Sequence, residues 1–230
     1  MSEQNTLIKV TGLSYRYPRR GVVLDNVDFT LNAGERVALT GPNGAGKTTL
    51  LHLLVGLKKA KAGEIWAFGE TRSEEKQFID VRARAGFLFQ DPDDQLFCPT
   101  VLEDVAFGPL NLGKSREEAL KIASDTLASL GMEGFEERIT HQLSGGEKRM
   151  ITLASVLAME PEVLLLDEPS NALDTEARQR LIDTLLGLPQ AMIIISHDSE
   201  FIAQLATREV RLKDAKLNAV TVAEPQLESA

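Results

Sequence analysis

Three short stretches combine residue types whose chemistry belongs together around a nucleoside triphosphate. The first, Gly41-Pro42-Asn43-Gly44-Ala45-Gly46-Lys47-Thr48, is a G-x-x-x-x-G-K-[ST] pattern between a candidate strand and a candidate helix. Glycines there let backbone N–H groups converge on phosphate oxygens, and the helix N-terminus adds partial positive charge. Lys47 is placed to reach the β- and γ-phosphates and the Thr48 hydroxyl to ligate Mg2+, with Thr49 beside it in the nucleotide contact set. At ordinary glycine usage the pattern arises by chance in about one chain of this length in a hundred, and its flanks make chance rarer still. The second stretch, Val163-Leu164-Leu165-Leu166-Asp167-Glu168, ends an aliphatic run in two carboxylates. Asp167 is placed to hold Mg2+ through water and Glu168 to polarise a water attacking the γ-phosphate. Taken alone, the pair also fits a strand running into an acidic turn; beside a phosphate loop the catalytic reading prevails. The third, Leu143-Ser144-Gly145-Gly146-Glu147, suits a helix start capped by Ser144, whose glycines leave N–H groups open to an anion. A second phosphate cradle in a chain with one nucleotide loop points to another subunit's ATP.

The elements that must position these groups follow from hydrophobic spacing. Strands are expected at Leu7–Val10, Val23–Val27, Asp28–Leu31 and Arg36–Thr40, with Asp25-Asn26 as a turn. A helix starting in the phosphate loop would pack Leu50, Leu51, Leu54 and Leu57 on a sheet, and Ala85–Phe89 reads as another strand. From Ser115 to Leu130 apolar residues recur at three and four, Ser115 with Glu118 forms a capping box, and Gly131 stops the helix. A further helix follows Ser144 with Met150, Leu153, Ala154, Leu157 and Ala158 on one face and Pro161 beyond its end. Val163–Leu166 and Ala191–Ile195, separated by a helix near Glu176–Leu186, are uninterrupted aliphatic runs that suit parallel strands covered on both faces. The expected architecture is one α/β domain over 1–230 with a helical insertion at about 91–160 and a loosely ordered tail from 214.

At 230 residues the chain can bury a real core. Its net charge of −9 disfavours sequence-independent nucleic-acid binding, which needs a basic surface. No apolar run approaches the length of a bilayer span, so any membrane would be crossed by another chain. The first ten residues lack the basic-then-apolar pattern of a secretory signal, and Cys98 alone forms no internal disulfide. Both favour the cytosol.

With Gln90 and His197, the three stretches resemble the ATP-binding cassette (ABC) family over about residues 5–213, and the Leu143–Glu147 signature separates it from kinases, GTPases and helicases. The resemblance implies a P-loop NTPase core sheet with an inserted α-helical subdomain, and a homodimer clasping two ATP molecules between one chain's phosphate loop and the other's Ser144, Gly145 and Gly146. It makes Gln90 the Q-loop glutamine touching Mg2+ and His197 the switch histidine on the γ-phosphate. Tyr17 resembles the aromatic that stacks on adenine, with Tyr15 as the alternative. His52 and His141 are read as packing or surface residues. Ser170–Asp174 resembles the D-loop, through which Asp174 touches the partner. Ala172 stands where the family usually has glycine, so the local backbone is expected to differ.

Gln90–Phe97 and Thr100–Pro109 resemble the ATPases of energy-coupling-factor importers, most closely the cobalt and nickel branch. This implies docking on the cytoplasmic side of a membrane, against a transmembrane coupling subunit and a substrate-binding membrane subunit. Leu96, Phe97, Val101, Leu102, Val105 and Phe107 amid Asp91, Asp93, Asp94, Glu103 and Asp104 would form core and groove for a basic amphipathic helix. The sequence ends short of the C-terminal segment that holds dimers of longer members together, implying a dimer weak without nucleotide. Alternatives are the ATPase of a vitamin importer, a soluble mechanical ABC ATPase and a silent nucleotide-binding module; Glu168 and His197 argue against the last.

Overall fold

The computed structural model describes residues 5–220. Two sheets organise them. The first is antiparallel, in the order β2-β1-β4-β5, with β1 at Thr6–Tyr17, β2 at Gly21–Asn32, β4 at Ala62–Ala67 and β5 at Glu70–Arg72. The second runs β10-β9-β3-β8-β7-β6, from β3 (Arg36–Thr40), β6 (Ala85–Leu88), β7 (Val163–Asp167), β8 (Ala191–Ile195), β9 (Arg208–Lys213) and β10 (Lys216–Val220). Every pairing in it is parallel except β9 with β10.

The aliphatic runs explain the layering. In β7 and β8 successive side chains point to opposite faces. Val163, Leu165, Ile193 and Ile195 enter a core shared with the antiparallel sheet and helix α1 (Lys47–Leu54). Leu164, Leu166, Met192 and Ile194 enter a second core covered by α3 (Val101–Asn111), α4 (Arg116–Ser129), α5 (Gly145–Leu157), α6 (Thr175–Gly187) and α7 (Ser199–Leu205). Helix α2 (Glu75–Arg84) links β5 to β6. Between β6 and β7 lie α3, α4 and α5 with no named strand; each starts at a capping box, Thr100 with Glu103, Ser115 with Glu118 and Ser144 with Glu147.

Three expectations are corrected. Asp25-Asn26 is no turn: β2 continues through it as a bulge, with Asn26 at φ +51° and the register to β1 shifting nearby. Leu57 does not join the α1 stripe, being 51% exposed, because left-handed Gly56 at φ +73° ends the helix first. The tail is not loose from 214: Asp214 and Ala215, at φ +50° and +62°, form a two-residue hairpin turn whose hand matches strand twist, and β10 pairs with β9. Residues 221–230 lie outside the described residues.

Gly86 sets how closely α5 lies on β6, since a Cβ there would sit 2.2 Å from Val156 Cγ1. Gly86→Ala should cost about 1–3 kcal/mol by overpacking, seen as a lower urea midpoint, and Val156→Ala in the same chain should restore part of it. An unchanged midpoint would show that the two elements are not in close contact.

Candidate functional site

The loops leaving β3, β6, β7 and β8 all emerge at the C-terminal edge of the parallel strands, the edge where open α/β sheets bind ligands. After β3 the chain turns through Gly41 at φ +138°, where a side chain is excluded because a Cβ would lie 2.1 Å from Leu212 O. Ala45 N–H donates to Pro42 O at 3.1 Å, Gly44 takes φ +76°, and Gly46, at φ +113°, is the N-cap of α1. The Arg20 guanidinium hydrogen-bonds Gly44 O. Lys47 is buried with Nζ donating to Gly41 O at 2.8 Å and Pro42 O at 3.2 Å. Burial lowers its pKa, against the opposing pull of Glu168 and Asp167. A Lys ammonium curled inside a loop of backbone groups at a helix N-terminus is a ready receptor for phosphate. Asn43 lines a cavity of about 780 Å3 with Gly41, Pro42, Ser196 and His197.

Tyr17 Oη lies 3.0 Å from Thr49 Oγ1 in the first turn of α1, which places Tyr17 rather than Tyr15 beside the loop. Two residues apart on one strand, the rings share a face and meet edge-on at 5.1 Å. Thr48 faces the Asp167 carboxylate. Asp167 is 3% exposed, and burial raises its pKa despite Thr48, His52, Lys47 and Arg149. Glu168, at φ +48°, donates its N–H to Ile195 O at 2.9 Å. Its Oε1 lies 3.1 Å from His197 Nε2, and its Oε2 accepts from the His197 N–H at 3.2 Å. Glu168 and His197 are thus brought together as one unit. His52 instead packs its ring on Phe87 at 5.6 Å.

Gln90 is exposed, and its backbone is held by a residue that pattern reading missed. Arg149 on α5, 2% exposed, donates to Phe89 O at 2.7 Å and Gln90 O at 2.6 Å. Its Nε lacks a partner among the described residues, and burial lowers its pKa to about 10. The available signal was a cation four residues before Leu153, inside the apolar stripe of the helix. Arg149 ties the helix that starts at the signature to the segment carrying Gln90.

The signature lies elsewhere in the chain. Ser144 Oγ accepts from Glu147 N–H at 3.3 Å, and Glu147 Oε2 accepts from Ser144 N–H at 2.8 Å. A Cβ on Gly146 would lie 2.8 Å from Ala177 Cβ, so α5 and α6 start close together. Asp174 caps α6 by accepting from Ala177 N–H at 2.8 Å. Ser144, Gly145, Gly146, Glu147 and Asp174 line a cavity of about 310 Å3 that no residue of 41–48 borders. Ala172, on the same cavity, takes φ +59°. The expected departure at this position is therefore not seen, and alanine carries the strain glycine would avoid, of order 1 kcal/mol.

A phosphate loop opening a helix, with paired carboxylates at the end of another parallel strand of the same sheet, defines a P-loop nucleoside triphosphatase. The chain belongs to the ABC transporter family, whose model matches residues 24–171. It is 56% identical over 195 residues to a putative ABC transporter ATP-binding protein of Brucella suis, covering 85% of this chain and 81% of that one. It is 45% identical over 215 residues to the energy-coupling factor transporter ATP-binding protein EcfA of Methanothermobacter thermautotrophicus, covering 92% and 69%. Among solved structures, cbiO1 of Clostridium perfringens, part of the ABC transporter complex cbiONQ, superposes with a TM-score of 0.82 at 32% identity, covering 93% and 87%. An ATP-binding cassette solved as a dimer in a post-hydrolysis state with ADP and Pi gives 0.82 at 26%, covering 94% and 100%. The chain is accordingly an ATP-binding, ATP-hydrolysing subunit of a transporter, and among the described residues no helix is long and apolar enough to cross a membrane.

Burial of Asp167 has a stability consequence. Its folded pKa stands above the ordinary 3.8, so ionised Asp167 disfavours the folded chain, by an amount absent at acid pH and fully present above the folded pKa. Asp167→Asn should therefore raise Tm without nucleotide at pH 7, by about 2–4 °C for each kcal/mol recovered. The gain should shrink as pH falls towards the carboxylate range. A lower Tm at pH 7 would contradict this origin.

Proposed function

We propose that the chain is the ATPase of an energy-coupling-factor importer for cobalt or nickel ions, working as a homodimer on the cytoplasmic side of a membrane beneath a transmembrane coupling subunit and a substrate-binding membrane subunit. The observation that carries the dimer is the separation of the two phosphate cradles, since Ser144–Glu147 borders a cavity of its own. A second copy completes both sites. The importer class rests on likeness to EcfA and to the cbiO1 structure, and on the stretch from Gln90 to Pro109.

Within one site Gly41–Thr49 cradle the triphosphate, Lys47 exchanges loop carbonyls for phosphate oxygens, and Tyr17 stacks on adenine. Asp167, Thr48 and Gln90 would hold Mg2+, because a buried carboxylate facing the Thr48 hydroxyl matches the few protein ligands such an ion takes beside phosphates. When bound, that ion neutralises charge building on the transferring phosphoryl group. Glu168 orients and deprotonates the attacking water, and His197, fixed against its carboxylate, reaches the γ-phosphate. Ser144, Gly145, Gly146, Glu147 and Asp174 of the other copy close the site.

Exposure supports a docking surface. Phe97 and Phe107 are 64% and 43% exposed and meet edge-on at 4.7 Å, while Val101 and Val105 are core. Asp93 is paired with Lys148 at 2.6 Å and Glu103 is held by Thr100 in the α3 capping box, so Asp94 supplies the free acid of the rim for a basic helix.

Glu168→Gln should cut hydrolysis by about 10²-fold or more and arrest the chain as an ATP-bound dimer on sedimentation; a variant that still turns over normally would refute the assigned base. Phe97→Ala with Asp94→Lys should leave hydrolysis by the isolated chain intact and abolish cobalt or nickel uptake by the reconstituted complex. Undiminished uptake would remove the docking surface.

A further inference from the structure

The signature turn carries a carboxylate where the proposed partner's phosphate is to sit. Glu147 lines the same cavity as Ser144 and Gly146, and Asp174 and Glu176 add two more acids to its border. An incoming triphosphate would meet like charge, which opposes association. Arg180 also borders the cavity, but its Nη2 is engaged by Leu130 O at 3.0 Å and Gly131 O at 2.8 Å. Arg138 is the cation directed at the signature itself. Its Nη1 lies 3.0 Å from Glu147 Oε1, while the other Glu147 oxygen accepts from Ser144 N–H at 2.8 Å, so both oxygens are held. Arg138 is in turn anchored. Its N–H donates to Phe135 O at 2.9 Å, its carbonyl accepts from Val101 N–H at 3.0 Å, and its guanidinium lies 3.6 Å from the Phe135 ring centre. The pull of Ser144 and Arg138 together keeps Glu147 ionised to lower pH than an ordinary glutamate.

We propose that Arg138 is a positioning residue of the nucleotide site, neutralising and aiming Glu147 so that the Gly145 and Gly146 amides can receive the γ-phosphate of ATP bound to the opposing copy. The proposal rests on the dimer reading above. The Arg138 and Glu147 side chains are 50% and 32% exposed, so in the separate chain water screens the pair and it adds little stability. Closure of two copies over ATP removes that water and strengthens the interaction. The contribution of Arg138 is therefore to ATP-driven closure rather than to folding.

The test uses the full chain. Arg138→Gln should raise the ATP concentration for half-maximal hydrolysis about 10-fold, equivalent to about 1.4 kcal/mol, with Tm without nucleotide little changed; Arg138→Lys should lie between. Glu147→Gln keeps the capping side chain, since Gln serves the same role in a capping box. The double variant Arg138→Gln/Glu147→Gln should therefore come within about 2-fold of Glu147→Gln alone, the scatter expected when a coupling has been removed. An unaltered ATP dependence in Arg138→Gln, or a defect that Glu147→Gln leaves in place, would overturn the proposal. Ser144→Arg separates the two readings. If it blocks ATP-driven dimerisation while Arg138→Gln behaves as the parent chain, only the role of Arg138 fails. If ATP-driven dimerisation and hydrolysis survive Ser144→Arg, the shared site itself fails and Arg138 with it.

Discussion

Parallel pairing of β3, β8, β7 and β6 is the constraint on which the rest of the molecule depends. Because these strands run the same way, Gly41, Gln90, Asp167–Glu168 and Ser196–His197 all leave the sheet at one edge. The register sharpens this convergence: Asp167 pairs with Ile195, and the next N–H, of Glu168, donates to Ile195 O, which sets its carboxylate against His197. The pairing is itself a product of burial, since strands apolar on both faces are stable only where cores cover both sides. The two hydrophobic clusters are therefore a condition for the chemistry.

Against that background the site accumulates features that oppose folding. Lys47, Asp167 and Arg149 are ionisable groups out of water, each with its pKa moved by burial in the direction that disfavours charge. Glu168 and Ala172 occupy left-handed backbone. Such concentrations of strain and buried charge persist only where surrounding packing over-determines the geometry, and functional sites are where they gather. Here the packing includes the close approach of Leu212 backbone at Gly41 and of the Val156 side chain at Gly86.

Helix α5 joins the signature turn to the segment that carries Gln90. Its N-terminus is the signature turn, and within its first two turns Arg149 grips the backbone of Phe89 and Gln90. Lys148, beside it, reaches Asp93 in the same segment. In the proposed dimer, a two-fold pair of chains would complete two sites at once through one self-complementary surface.

Much of this was legible in the residues themselves. A glycine-rich loop before a helix, two acids after an aliphatic run and a Ser-Gly-Gly turn are local patterns, because backbone conformation, capping and side-chain periodicity act over a few residues. So the parallel strands, the capped helices and the loops that carry the candidate site residues could be read directly. The end of α1 before Leu57 and the bulge at Asn26 were less visible, since each depends on one residue entering left-handed backbone. The hairpin to β10 depends on that and on a partner strand, β9, to receive it. Only the tertiary structure decided that Arg149 is buried against Gln90, that Asp93 is paired while Asp94 is free, and that Arg138 is aimed at Glu147. These are contacts between segments far apart in the chain, made by long charged side chains whose partners are chosen by packing and desolvation, and no local pattern encodes that choice.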